Sequence, residues 1–152
     1  MRRLLFLTLI ALAVAAAGCG GKSAPSAEEY EQSVVLMRDR VDFALERITK
    51  SESEDQFLER MDEASETIER AADDLDGAGT AEDFEDEHEK LVSSLRQLSY
   101  DVKATADQIR IPGFEGLLTG SRGISFESWD QVNSALAGMA GKGMDVSMLQ
   151  RH

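Results

Sequence analysis

The residues that could do chemistry fall into three groups. Glu85 and His88 stand three apart, the Glu-x-x-His step with which di-iron helical sites set two ligands on one face. Such sites need two copies of the step and two further inward glutamates, and the chain has one copy, so His88 is expected as a partly exposed seam histidine near a helix end. The densest group is acidic: Asp73, Asp74 and Asp76, then Glu82, Asp83, Glu85, Asp86, Glu87 and Glu89. Carboxylate oxygens suit hard divalent cations, so Asp73, Asp74, Asp76, Glu82 and Glu85 with His88 form a candidate metal site; without EF-hand spacing its affinity would be weak. Met139, Met144, Met148 and His152 offer the soft donors favoured by Cu(I), although methionines at the end of a small bundle more often fill core gaps. A catalytic triad needs a nucleophile, a base and an orienting acid. The chain holds two histidines, His88 and His152, with no glycine-rich phosphate loop and no G-x-S-x-G. No enzyme activity and no small-molecule substrate are expected.

The elements that must position these groups read as helices. From 80 to 111, Phe84, His88, Leu91, Leu95, Leu98, Val102, Thr105 and Ile109 recur in alternating steps of four and three, the seam of a long packed helix. At 1.5 Å per residue this would be a rod of about 45 Å, the longest in the chain. A first helix is expected from the Ser26/Glu29 capping box to about Lys50, with seam residues Tyr30, Val34, Met37, Val41, Ala44 and Ile48. Ser53 with Gln56 caps a second, with seam Phe57, Met61, Ala64, Ile68, Ala71 and Leu75, ended by Gly77 and Gly79. Thr80 is expected to open the long helix and Pro112-Gly113 to close it. A glycine-rich stretch, 114–123, follows. Ser125 then caps a short fourth helix, with Ile124 and Trp129 as its hydrophobic staple. That helix carries Phe126, Trp129, Val132, Leu136 and Met139, fraying at Gly138, Gly141 and Gly143. It should fold back over the far end of the long helix and cover a second stripe, Tyr100, Ala104 and Ile111.

Short connections make the first three helices antiparallel neighbours. Glu28, Glu29 and Glu31 then join the acidic group at the end nearest the N-terminus. Acids in a helix's first turn are favoured by its dipole, by about 0.3–1 kcal/mol each. Asp73, Asp74 and Asp76 sit at a helix C-terminus, where acids are disfavoured. A local rule broken without visible compensation can mark a functional site.

Composition sets the partner class. The chain of 152 residues has 29 acidic against 16 basic residues, a net charge of −13. So acidic a chain is repelled by nucleic acid and by a bare anionic bilayer, and its partners should be cationic ions or proteins. Its single cysteine, Cys19, cannot form an internal disulfide.

Arg2 and Arg3 form a positive n-region, and residues 4–17 carry no charge. The run is shorter than the ~20 apolar residues of a membrane-spanning helix, so it reads as a secretory h-region. Ala16-Ala17-Gly18-Cys19 resembles the lipobox of bacterial lipoproteins, with Ala16 standing where that family usually carries leucine. The resemblance implies lipidation (palmitate included) of Cys19 and cleavage just before it. Gly20 at the second mature position, where aspartate would retain an enteric-type lipoprotein in the inner membrane, permits outer-membrane sorting. Ordinary cleavage near Ala17 is the alternative and would leave Cys19 a free thiol. The stretch from Ser128 to His152 also resembles the ends of small lipoproteins of high-GC bacteria whose role is unknown, and adds location only.

The expected organisation is a signal peptide (1–18), a lipidated Cys19 with a flexible tether (19–26), an all-α up-down helical bundle of three long helices and a short fourth (27–143), and a tail (144–152). The tether reaches at most about 25 Å, which keeps the bundle near the bilayer. The expected function is a non-catalytic interaction or structural module. It would be exported and anchored to the outer face of the cell membrane or to the outer membrane, with an envelope protein as partner and no cofactor. Binding of divalent cations or, less readily, copper is the alternative. Bundle seams and coiled-coil dimer seams read alike, so oligomeric state stays open.

Overall fold

The computed structural model describes residues 24–111 and 126–151. The expected leader, Cys19, the expected tether up to residue 23, the Pro112-Gly113 helix stop, the glycine-rich stretch with Ile124 and Ser125, and His152 lie outside the described residues, together with the expectations placed on them.

Among the described residues the chain forms four α-helices: α1 Ala27–Thr49, α2 Glu54–Ala78, α3 Glu85–Ile109 and α4 Glu127–Gly141. Together they make an all-α bundle of three long helices and a shorter fourth. α1 opens on the expected capping box: the Ser26 hydroxyl accepts from the Glu29 N–H at 3.3 Å, and the Glu29 carboxylate accepts from the Ser26 N–H at 2.9 Å. α2 opens on Ser53, whose hydroxyl accepts from the Gln56 N–H at 3.2 Å. Both caps satisfy N–H groups that a helix start leaves without intrahelical partners. The three seams are buried almost throughout, from Tyr30 to Ile48, from Met61 to Leu75 and from Phe84 to Val102. Fully burying an aliphatic side chain contributes about 1.5–3 kcal/mol, so these stripes hold the fold.

The helices run up, down, up and down. Arg40 and Arg47 of α1 pair with Asp74 and Glu63 of α2. Tyr30, at the start of α1, meets His88 near the start of α3. Where α2 crosses α3, Ser65 and Ser99 are buried and reciprocal: each hydroxyl donates to the other's carbonyl, at 3.0 and 2.9 Å. Side chains this small let the backbones approach, and the exchange satisfies both hydroxyls.

Four expectations need correction. The long helix does not open at Thr80: Ala81 is extended, a 3-10 turn spans Glu82–Phe84, and α3 begins at Glu85. The Phe84 ring is buried against Tyr30, their centroids 5.8 Å apart, while its N–H closes the tight turn on the Ala81 carbonyl at 2.9 Å. α3 consequently has 25 residues, the same as α2, and is not the longest rod. Gly77 does not end α2; the helix continues to Ala78, and Gly79, at φ 79°, is the cap. That left-handed φ is one a glycine adopts without steric cost. Gly138 does not fray α4, which stays helical to Gly141.

The fourth correction concerns where α4 packs. It does not cover Tyr100 and Ile111, which remain 68% and 59% exposed. α4 lies antiparallel on another face of α3: Ser128 at its start donates to Asp101, and the Glu87 stem lies against Gly138. Polar groups line that face: Ser94 and Ser128 are buried and Asp101 is partly so. The stripe expected of this helix, Val132, Leu136 and Met139, is fully buried, and the polar groups on the facing side of α3 are what hid its docking position. The observed cap of α4 is Phe126, without a side-chain hydrogen bond.

Residues 144–151 are not a loose tail. Gly143, at φ 99°, reverses the chain, and Met144 and Leu149 enter the core.

Candidate functional site

The topology brings the start of α1, the end of α2, the start of α3 and the end of α4 to one end of the bundle. At its centre Tyr30 Oη lies 3.0 Å from His88 Nδ1, both groups buried. Burial pushes the Tyr30 hydroxyl up to about 12, against a hydrogen bond from Thr80 that pulls it down, with the Glu87 charge adding to the rise. Nε2 lies 4.0 Å from Asp76 Oδ1; a neutral imidazole carrying its proton on that side has Nδ1 as the acceptor for the Tyr30 hydroxyl. Burial lowers the His88 pKa below its ordinary value, with Asp76 opposing the shift. The result is a neutral histidine bonding one helix start to another, at the expected seam position but buried rather than partly exposed, because the start of α1 covers it.

The aspartates at the end of α2 do have compensation. One guanidinium, Arg96 of α3, reaches both Asp73 and Asp76 at 2.9 Å, and Arg40 of α1 takes Asp74. Donating to the Asp73 and Asp76 carboxylates raises the Arg96 pKa above its ordinary value. An unfavourable helix-dipole position is offset by cations from both neighbouring helices. Glu87 pairs with Lys142, whose hydrogen bond holds the carboxyl below its usual range. The backbone N–H of Ser26 does the same for Glu29. Glu82 and Glu85 are exposed. The structure thus brings Asp76 and His88 together, turns Asp73, Asp74 and Asp76 to arginines, and leaves Glu82 and Glu85 at the rim. Among the described residues, no group of three or more histidine, cysteine or acidic side chains is placed to hold a metal ion.

The sulfur candidates occupy different surroundings. Met139 and Met144 are core residues and Met148 is exposed, while His152 and Cys19 lie outside the described residues.

Two features escaped sequence reasoning. One is an apolar pair on the surface of α1: Leu36 and Phe43, seven residues apart, are 65% and 62% exposed. Arg40 falls between them and Arg47 one step beyond Phe43 on the same helix face. The spacing was visible in the sequence, but it reads as a secondary stripe and gives no sign of being left uncovered.

The other is a cleft between α1 and α4, filled by residues 144–151. Three N–H groups of this non-helical segment go to side chains on both walls, while the Val146 N–H turns back to the Met144 carbonyl at 3.0 Å. Asp145 donates to Glu31 at 2.9 Å, Leu149 to Asn133 at 2.8 Å and Gln150 to Asp42 at 2.8 Å. Asp42 is buried, with Arg38 Nη1 4.0 Å away. Lys142 at one end pairs with Glu87, and Arg151 at the other with Asp130. No sequence period announces these contacts, because a non-helical segment has no helical stripe. A further open trough between α2 and α3 has Ser65 and Ser99 among its lining residues and Arg96, Tyr100 and Lys103 along its sides.

No family model matches the chain, and neither a curated protein nor a solved structure matches it. No described helix is long and apolar enough to cross a membrane.

Proposed function

We propose that this chain is a lipid-anchored protein of the bacterial cell envelope whose helical bundle is a non-catalytic interaction module. The anchor rests on the sequence, Ala16-Ala17-Gly18-Cys19 after a positive n-region and an uncharged run. The interaction reading is carried by the exposed pair Leu36 and Phe43 on a helix whose other face is fully used by the core. Large apolar side chains grouped on a surface are the usual mark of a contact site. Arg40 and Arg47 beside them are paired with Asp74 and Glu63 of α2, and the chain's net charge of −13 favours a protein partner in the envelope over nucleic acid. The acidic end gives less support to a cation-binding role, since each α2 aspartate already faces an arginine.

The test is site-specific photo-cross-linking in cells from Phe43, with Cys19→Ser as the unanchored control, alongside metabolic labelling with a palmitate analogue. One dominant adduct that disappears in the control, with label incorporated only when Cys19 is present, is the expected result. Label incorporation unaffected by Cys19→Ser would remove the anchor. An anchored protein that gives no adduct from Phe43 or Leu36 would remove the interaction surface.

A further inference from the structure

We propose that the exposed face of α1 pairs with the same face of a second copy of this chain, antiparallel, about a two-fold axis passing between Asp39 and Arg40. The proposal rests on the interaction-module reading and names the partner of the Leu36/Phe43 pair.

The face is one continuous stripe. Glu29, Gln32, Leu36, Asp39, Arg40, Phe43 and Arg47 are exposed on α1, and Lys50 is exposed at its C-cap. At about 100° per residue they all fall within about 50° of a single line along the helix. Val34, Met37, Val41, Ala44, Leu45 and Ile48 point away from that line and into the core.

The order of charges along the stripe selects a second copy as the partner. A two-fold axis between Asp39 and Arg40 sets each residue against the one equally far beyond the axis on the other chain. Leu36 then meets the partner's Phe43, and Phe43 meets the partner's Leu36. Gln32 meets the partner's Arg47, and Glu29 meets the partner's Lys50. Asp39 and Arg40, of opposite sign, straddle the axis. The acidic start of each helix therefore lies along the basic end of the other, an arrangement that the helix dipoles also favour. A parallel pair would set Glu29 against Glu29 and Arg47 against Arg47, and like charges would resist it.

Other faces repel a second copy. The net charge is −13, and the exposed charged side chains of α2 are all acids apart from Arg70. The α1 stripe instead carries Arg40, Arg47 and Lys50 against Glu29 and Asp39. Those three cations have ion pairs within their own chain, to Asp74, Glu63 and Glu46. Exposed pairs of this kind are weak, so the cations can turn to a facing carboxylate without opening the fold. A single pair of helices falls toward the low end of the ~1,200–2,000 Å² buried by stable interfaces, so the association is weak and reversible.

The experiment uses the full chain carrying Cys19→Ser, which removes its single thiol. Sedimentation velocity over a rising concentration series should show a monomer–dimer equilibrium. Phe43→Glu and Leu36→Glu should each raise its Kd by about tenfold or more, with the helical circular dichroism unchanged because both side chains lie outside the core. Arg47→Glu should weaken the dimer, and Gln32→Lys added to the same chain should restore it. Those positions are ~22 Å apart along one helix, so the rescue acts only across the axis. Mixed Gln32→Cys and Arg47→Cys chains should oxidise to a cross-linked pair, whereas Gln32→Cys alone should not cross-link to itself. The proposal is overturned by a chain that stays monomeric throughout, by a dimer indifferent to Phe43→Glu and Leu36→Glu, by failure of the rescue, or by self-cross-linking of Gln32→Cys. A monomeric chain whose Phe43 cross-links in cells to a different protein overturns self-pairing and leaves the interaction module standing. Absence of both dimer and adduct removes both.

Discussion

At the scale of the residue, the Tyr30–His88 pair shows why a buried polar contact must be weighed as a pair. Tyr30→Phe removes the donor to His88 Nδ1 and leaves a buried acceptor without that partner, which should cost about 1–3 kcal/mol in chemical denaturation. Tyr30→Phe with His88→Phe removes both partners together, and the double variant should be less destabilised at pH 7 than the sum of the two single changes. A double variant as destabilised as that sum would mean the hydrogen bond is energetically silent. The same histidine gives a pH dependence of known sign. Its folded pKa lies below its ordinary 6.5 because of burial. Between that lowered value and 6.5 the unfolded chain binds more protons, so stability rises with pH. The contribution is complete above about 6.5 and is lost as pH falls through that window. Thermal melts at pH 7.5 and pH 5.5 should show a larger drop for the parent than for the double variant, and equal drops would contradict it. Sequence reasoning correctly put His88 on a seam near a helix end. The identity of its partner came from a residue 58 positions away, beyond any local pattern.

At the scale of the element, the end of α2 contains a paired test. Gly77 is helical, and a methyl group there meets nothing within 4 Å, whereas Gly79 has φ 79°. Gly77→Ala should therefore raise stability by about 0.5–1 kcal/mol through helix propensity. Gly79→Ala should lower it by about 1 kcal/mol, since an L-residue resists the left-handed region. Melting temperatures that move the same way for both would show that the helix ends elsewhere in solution. The contrast also marks what was legible: two nearby glycines signalled a helix end, but which one caps depends on how many turns the packing keeps. Arg40 of α1 and Arg96 of α3 hold the last turn through Asp74, Asp73 and Asp76, and the helix runs on through exposed Gly77. The same competition delays α3, where burying Phe84 beside Tyr30 forces a 3-10 turn in place of the α-helix read from Thr80.

At the scale of the molecule, residues 144–151 close the bundle between α1 and α4. If they are structural, Leu149→Ala should cost about 2 kcal/mol or more in urea unfolding, the range for truncating a buried leucine. A tail that was merely appended would show no change. Long-range charge is arranged with the same economy. Burial pushes the pKa of Asp62 up, but hydrogen bonds from Arg110 and Lys103 outweigh it and leave the carboxyl below its ordinary value. Arg96 plays the matching part at the acidic end. Interhelix pairs of this kind set α2 against α3 at both ends of their contact.

The sequence by itself determined the helices, their two serine caps and their seams, because 3.6-residue periodicity and capping act over a few residues. It also carries Arg2 and Arg3, the uncharged run 4–17 and Cys19, on which the anchoring proposal stands. The tertiary structure alone decided that Asp73, Asp74 and Asp76 face arginines, that α4 lies on a partly polar face of α3, and that a non-helical segment is held by Glu31, Asp42 and Asn133. Each of these is a contact between residues far apart in the chain, made by polar side chains that leave no hydrophobic period to read.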